Sequence, residues 1–310
     1  MMKYLKWIVV ILGVSLVGGL VYAGNYFYDY AVIPSEKDFL SPDTDTITEE
    51  TQKIETWYTD ETNRSRWNLQ SEDGLNLSAI FLPADQQEGK TALLAHGYMD
   101  TAESMAEYAK MYHDMGYNVL VPDARGHGKS EGDYIGFGWH ERKDYLQWID
   151  QVLQNQGKDE TITLYGLSMG AATVMMVSGE QLPANVVSIV EDCGYASVKE
   201  ELTYQLKDLF DLPAFPMIPI TSLVTKVRAG YFFGEADATQ QLAKNELPIF
   251  FIHGKEDKFV PFSMLDEVYQ ATDAPKEKWA VPHATHADSY NQDPELYREK
   301  IKAFLKKYAR

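Results

Sequence analysis

The chain has 310 residues, 45% of them hydrophobic and 13% aromatic, enough for one large core or two modest ones and unlike a disordered polypeptide. Its formal charge is −18, and the first 30 residues carry net +1 from Lys3, Lys6 and Asp29; the −19 left on the rest argues against nucleic acid or anionic lipid as its main ligand. Cys193 is the only cysteine, so neither an intrachain disulfide nor a thiolate metal cluster is available, and it reads as a small buried residue near a strand end.

Residues 7–28 carry no charge, a run that as a helix would reach about 33 Å. Tyr22, Tyr26, Phe27 and Tyr28 crowd its outer end like an interfacial belt. Two readings compete. Val21-Tyr22-Ala23 would serve as the cleavage site of a secretory signal, whereas the length of the uncharged run favours a retained anchor. Both place the body outside the cytoplasm, because Lys3 and Lys6 precede the span. Residues 1–30 are therefore expected to be a membrane anchor or signal outside the fold, on a single-pass cell-membrane protein or, after cleavage, a secreted one. Residues 31–62 follow with prolines, hydroxyls and many carboxylates, and read as an acidic stalk.

The body is expected over residues 63–310. Residues 67–70 and 75–82 read as strands around an Asp73-Gly74 turn, and residues 91–95 as a buried strand ending at His96-Gly97. A helix with Met105, Tyr108, Tyr112 and Met115 on one stripe comes next, then a strand at 117–121 and the loop Asp123-Ala124-Arg125-Gly126-His127-Gly128. A helix over 139–156, a strand leading to Ser168, a helix from Ala171 and a strand at 186–190 follow. Residues 195–245 break this rhythm and read as an inserted helical cap punctuated by Pro213, Pro216 and Pro219. Strands resume at 248–254 and 278–281. The last helix puts Tyr297, Ile301, Phe304, Leu305 and Tyr308 on one face.

Strands alternating with amphipathic helices predict an α/β protein whose mostly parallel sheet is covered on both faces, with ligands gathered at the carboxyl ends of the strands. His96-Gly97, Ser168, Asp192 and His253-Gly254 all fall at such ends.

Gly166-Leu167-Ser168-Met169-Gly170 is G-x-S-x-G between a strand and a helix. A serine hydroxyl needs exposure, a base and oxyanion donors to act as a nucleophile, and a sharp strand-to-helix turn flanked by Gly166 and Gly170 supplies the exposure. Of the seven histidines, His113 and His140 suit surface or capping roles, His96 and His253 structural hydrogen bonds, and His127 the stitching of its own loop. His283 and His286 remain, in the loop after the last strand; His286 is the favoured base because small residues surround it. Read alone, this loop would as readily hold two solvated histidines. Asp257, just after a strand, is the favoured acid, with Asp192 its rival. The backbone N–H groups of Tyr98 and Met169 are the expected oxyanion donors, with Gly97 allowing the chain to turn its amides inward.

The set His96-Gly97-Tyr98, Asp123-x-Arg125-Gly126-His127-Gly128-x-Ser130, Gly166-x-Ser168-x-Gly170, Gly254-x-x-Asp257 and His286 resembles the α/β-hydrolase superfamily. It is most similar to the serine-aminopeptidase and monoglyceride-lipase-like branch, in the form of cell-surface hydrolases of Gram-positive bacteria, over residues 65–308. The resemblance implies an eight-stranded sheet, a helical cap between strands six and seven, and hydrolysis of small-molecule esters or amides without cofactor or metal. A carboxylesterase acting on small or medium acyl esters is the leading reading. A peptidase or acyltransferase on the same triad, or a non-catalytic surface-binding module, are the alternatives. Apolar cap residues such as Leu209, Phe210, Phe215, Met217, Ile218 and Phe232 would line an acyl pocket or simply pack the cap to the core.

Overall fold

The structure is a computed structural model that describes residues 2–35, 49–61 and 63–309. Helix α1 spans Met2–Ala31 and α2 Glu49–Thr56. Next come β1 (Ser65–Gln70), β2 (Asn76–Leu82), β3 (Lys90–Ala95), α3 (Ala106–Asp114), β4 (Asn118–Pro122) and α4 (Glu141–Gln156). Then follow β5 (Thr161–Leu167), α5 (Met169–Val177), β6 (Val186–Asp192), α6 (Val198–Phe210), α7 (Ala214–Ala229) and α8 (Ala238–Leu242). The chain ends with β7 (Ile249–Gly254), α9 (Met264–Gln270), β8 (Lys276–Val281), α10 (Ser289–Gln292) and α11 (Pro294–Tyr308).

The strands form one eight-stranded sheet in the order β1-β2-β4-β3-β5-β6-β7-β8. β2 runs antiparallel to β1 and β4, and the other neighbours are parallel. The central strands are mostly apolar because both faces of the sheet are covered, and successive side chains go to opposite faces. Leu93, Leu164, Ile189 and Phe251 therefore enter one core, shared with residues of α4, α5 and the cap. Their neighbours Leu94, Tyr165, Val190 and Ile252 enter the other, where the α11 face of Tyr297, Ile301, Phe304 and Leu305 also packs. α11 begins where the sequence says it should: Pro294 occupies the first turn and the Asp293 side chain caps the Leu296 N–H at 3.0 Å.

The cap lies between β6 and β7, and its two ends meet in a Ser197–Asp237 bridge. Its second helix starts earlier than the prolines suggest. Phe215 is non-helical and the helix proper follows it. Pro219 thus falls in the first turn, where a missing N–H removes at most the first intrahelical bond.

Two expectations about the N-terminal third need correction. α1 is exposed over residues 3–19, but its end belongs to the fold: Gly24 abuts Ile220 and Val224 of α7 so tightly that a Cβ would lie 2.5 Å from the Ile220 Cγ2, and Tyr28 and Val32 are buried. Arg228 of α7 clamps this end, pairing with Asp29 at 2.7 Å and lying over the Tyr28 ring. Of the expected stalk, residues 36–48 lie outside the described residues. Residues 49–61 do not behave as a solvated spacer: α2 runs into a wide turn, Trp57–Glu61, that buries Tyr58 and donates its hydroxyl to the Ala102 carbonyl at 3.0 Å. Composition hid this, because Ile54, Trp57 and Tyr58 are dispersed among carboxylates and hydroxyls.

Candidate active site

The turn from β5 to α5 holds Ser168 at φ 55°, ψ −115°, a conformation costing on the order of 1–3 kcal/mol for a residue with a side chain. The surroundings enforce it. The Ser168 N–H donates to the Asp192 carbonyl at 2.8 Å, and its carbonyl accepts from Ala172 at 3.0 Å. A Cβ on Gly166 would collide with the Gly170 carbonyl, and one on Gly170 with that of Ala95. The two flanking glycines are thus required by close approach of backbone, as the pattern predicts.

Three loops converge on Ser168. Its Oγ lies 2.8 Å from His286 Nε2, and His286 Nδ1 lies 2.8 Å from Asp257 Oδ2. The other oxygen, Asp257 Oδ1, accepts the Phe259 and Val260 N–H groups, each at 2.9 Å. His253 Nε2 adds a contact to Oδ2 at 3.2 Å. Burial alone would raise the Asp257 pKa, but the hydrogen bonds from His253 and His286 outweigh it and hold the carboxyl down to about 2. His283 stands outside this chain, exposed and 3.1 Å from Glu256. The rival carboxylate, Asp192, is engaged elsewhere: it accepts the Ser289 and Tyr297 hydroxyls, each at 2.9 Å.

The loop after β3 supplies Tyr98. Among the described residues, neither the Tyr98 nor the Met169 backbone N–H has a hydrogen-bond partner. The loop is pinned on both sides of Tyr98. His96 donates from Nδ1 to the Gly97 carbonyl at 2.8 Å and accepts the Ala124 N–H at Nε2, 2.9 Å. His127 donates from Nδ1 to the Arg125 carbonyl at 2.9 Å and accepts the Met99 N–H at Nε2, 3.3 Å. Burial, aided by His96, pushes the His127 pKa down to about 4, so it is neutral near pH 7 and able to do both. Asp123 takes the Ala102 N–H at 2.7 Å. Gly97 is needed less than expected, since a Cβ there would meet Ser168 Cβ at an ordinary 3.7 Å, and the left-handed residue of the loop is Met99 at φ 59°.

Arg125 anchors the following loop through Asp144 at 2.7 Å and Asp73 at 2.8 Å.

Cys193 Sγ, Asp257 and His286 bring potential ligand atoms within 4.8 Å of one another. As a metal site the set is poor. The Asp257 and His286 atoms are bonded to each other, and burial pushes the Cys193 thiol up, away from the thiolate.

A pocket opens above Ser168. Ser168, Met169 and Tyr98 line it together with Leu206, Phe210 and Met217 of the cap and Phe27, Tyr30 and Ala31 of α1. Glu201 also reaches it, with its pKa pushed up to about 8 by burial. Of the expected cap lining, Leu209, Phe210, Met217 and Ile218 face the pocket; Phe215 and Phe232 do not and are exposed. The α1 residues carried no signal in the sequence beyond their place in an aromatic belt.

A family model described as serine aminopeptidase, S33, matches residues 86–210. The chain is 32% identical over 216 residues to the uncharacterized protein YqkD of Bacillus subtilis, covering 69% of this chain and 70% of that one. It is 22% identical over 258 residues to a 2-hydroxy-6-oxo-6-(2'-aminophenyl)hexa-2,4-dienoic acid hydrolase of Metapseudomonas resinovorans, covering 72% of this chain and 86% of that protein. Among solved structures, the Pyrococcus furiosus esterase Pf2001 superposes with a TM-score of 0.67 at 23% identity, covering 90% of this chain and 99% of the esterase.

Proposed function

The chain belongs to the α/β-hydrolase superfamily, in its serine-aminopeptidase and monoglyceride-lipase-like branch, and from that premise we propose that it is a membrane-tethered extracytoplasmic serine hydrolase, a carboxylesterase for small or medium acyl esters. The observation that carries this reading is the hydrogen-bonded series from Ser168 through His286 to Asp257.

In the proposed reaction Ser168 Oγ adds to the ester carbonyl while its proton passes to His286 Nε2. Asp257 fixes the imidazole with Nδ1–H toward itself and stabilises the imidazolium. The carbonyl oxygen, now negative, takes the Tyr98 and Met169 N–H groups, each such donor typically contributing 10²–10³ in rate. The alcohol leaves with the proton from His286, giving an acyl-serine. Water then adds under the same base, releases the acid and returns the proton to Ser168.

The tethered location rests on α1, a helix long and apolar enough to cross a membrane, with Lys3 and Lys6 in its first turns. Retention is favoured over cleavage because the Ala23–Gly24 bond lies inside one continuous helix whose far end is docked on the cap.

Treatment with a fluorophosphonate probe tests the nucleophile. Labelling is expected in the wild type and absent from Ser168→Ala; label persisting in that variant would overturn the assignment. A panel of p-nitrophenyl esters against aminoacyl-nitroanilides decides ester over amide, and preference for the anilides would replace esterase by peptidase.

A further inference from the structure

The pocket above Ser168 is built from two parts of the chain with different surroundings. One is the cap. The other is the last turn of α1, the same helix whose preceding residues 3–19 are exposed and apolar. Phe27 and Tyr30 both face Phe210 of α6 edge-on, with ring centroids 5.2 and 5.0 Å apart. The Tyr98 hydroxyl donates to the Ala31 carbonyl at 2.8 Å, tying this turn to the residue whose N–H is the proposed oxyanion donor. The turn is held by packing as well, since Val32 is fully buried and its carbonyl accepts the Ile135 N–H at 2.8 Å.

Phe27 follows the exposed Tyr22 by five residues, about 7.5 Å along a helix. The pocket wall therefore starts within roughly 10 Å of the exposed part of α1. α7, which lies against Gly24, exposes apolar residues of its own, Leu223 at 55% and Val227 at 79%, one helical turn apart.

Resting on the serine-esterase reading, we propose that Phe27 and Tyr30 form the wall that selects which acyl chains reach Ser168. The chain enters from the bilayer surface past α7, and the substrate class is a single-chain, medium-length acyl ester resident in that membrane. The helix that tethers the protein is thereby part of its substrate site.

The test uses full-length protein in lipid nanodiscs with p-nitrophenyl acetate and p-nitrophenyl decanoate. Phe27→Trp should lower the decanoate-to-acetate ratio of kcat/KM at least tenfold by filling the wall, and Phe27→Ala should shift the preferred chain to greater length. Ratios unchanged in both variants would overturn the wall. Leu223→Glu with Val227→Glu should lower the same ratio at least fivefold, and an unchanged ratio would overturn entry past α7. If the wild type hydrolyses neither ester and resists the fluorophosphonate, the hydrolase reading fails by itself. The wall is then judged with a diazirine-bearing decanoic acid, which needs no nucleophile: photocrosslinks on residues 27–31, competed by excess decanoic acid, support it, and crosslinks to α6 alone overturn it.

Discussion

Replacing Asp257 by asparagine is the sharpest perturbation of the proposed chemistry, because the structure dictates how the amide must sit. Oδ1 accepts two backbone N–H groups at 2.9 Å, and only a carbonyl oxygen can do so. The new NH2 must therefore take the Oδ2 position, facing His286 Nδ1 at 2.8 Å and His253 Nε2 at 3.2 Å. There it donates to His286, moves the ring proton to Nε2 and removes the acceptor that Ser168 needs. The alternative rotamer would set NH2 against two backbone donors and is worse. Loss of the correct tautomer in a triad of this kind costs about 10⁴ in kcat, equivalent to about 5.4 kcal/mol at about 1.36 kcal/mol per tenfold. Steady-state hydrolysis of a short p-nitrophenyl ester is the assay, with kcat expected to fall by about that factor and KM to change little. Asp192→Asn serves as the contrast: that carboxylate touches hydroxyls, so it should cost stability and leave kcat within a few-fold. An Asp257→Asn enzyme retaining a tenth of wild-type kcat would refute the reasoning, as would an Asp192→Asn enzyme with the larger loss.

Two shifted groups close to the site give stability profiles of opposite sign. His127 has its folded pKa lowered to about 4, so its contribution is complete above the unfolded value near 6.5 and is lost as pH falls to 4, on the order of 3 kcal/mol. Denaturant melts at pH 7 and 4.5 should show that slope, and His127→Gln should flatten it; equal slopes would contradict the buried neutral ring. Glu201 has its folded pKa raised to about 8, so its contribution is complete below the unfolded value near 4.5 and is lost as pH rises to 8, on the order of 4–5 kcal/mol. Glu201→Gln should accordingly be more stable than wild type at pH 8.5 but not at pH 4.5, and identical midpoints at pH 8.5 would count against it. Gly170→Ala drives a methyl into the Ala95 carbonyl and should cost upward of about 3 kcal/mol, seen as a lower Tm by calorimetry; an unchanged Tm would mean that the turn is looser than described. Tyr58→Ala removes a fully buried ring and should cost about 3–5 kcal/mol, whereas an effect near zero would return residues 49–61 to the role of spacer.

The layout of the fold was legible because the sheet is buried on both faces. Runs such as residues 92–95 and 249–252 are apolar at every position, and their alternate residues feed two cores that the intervening helices cover. The turn at Ser168 was legible for a similar reason: only glycine survives where Gly166 and Gly170 meet backbone oxygen. What could not be read was contact between distant segments of unlike composition. Phe27 and Tyr30 sit in a stretch whose apolar character already had an explanation, so nothing in the letters pointed to Phe210 or to Ser168. Tyr58 lay among carboxylates that masked it. His253 was read as structural, yet it touches Asp257, and only the return of the chain through Val260 brings the two together.

The pair Asp192 and Asp257 shows why position alone left the acid open. Asp192 ends β6 and Asp257 follows β7, two parallel neighbours, so both stand at the carboxyl edge of the sheet, and both are buried. Their donors differ in kind. Asp257 is surrounded by N–H groups, two from backbone and two from imidazoles, which stabilise the anion enough to hold its pKa down to about 2. Asp192 is met by the hydroxyls of Ser289 and Tyr297, which do not offset its full burial, so its pKa is raised. A carboxylate can stabilise a neighbouring imidazolium only if it is reliably ionised when the proton arrives. The hydroxyl donors come from α10 and α11, the backbone N–H donors from the turn that follows β7, and the imidazoles from β7 itself and the loop after β8. Which carboxylate is left to face His286 is thus written in which element packs beside each strand end, a fact that exists only once the last helix has docked.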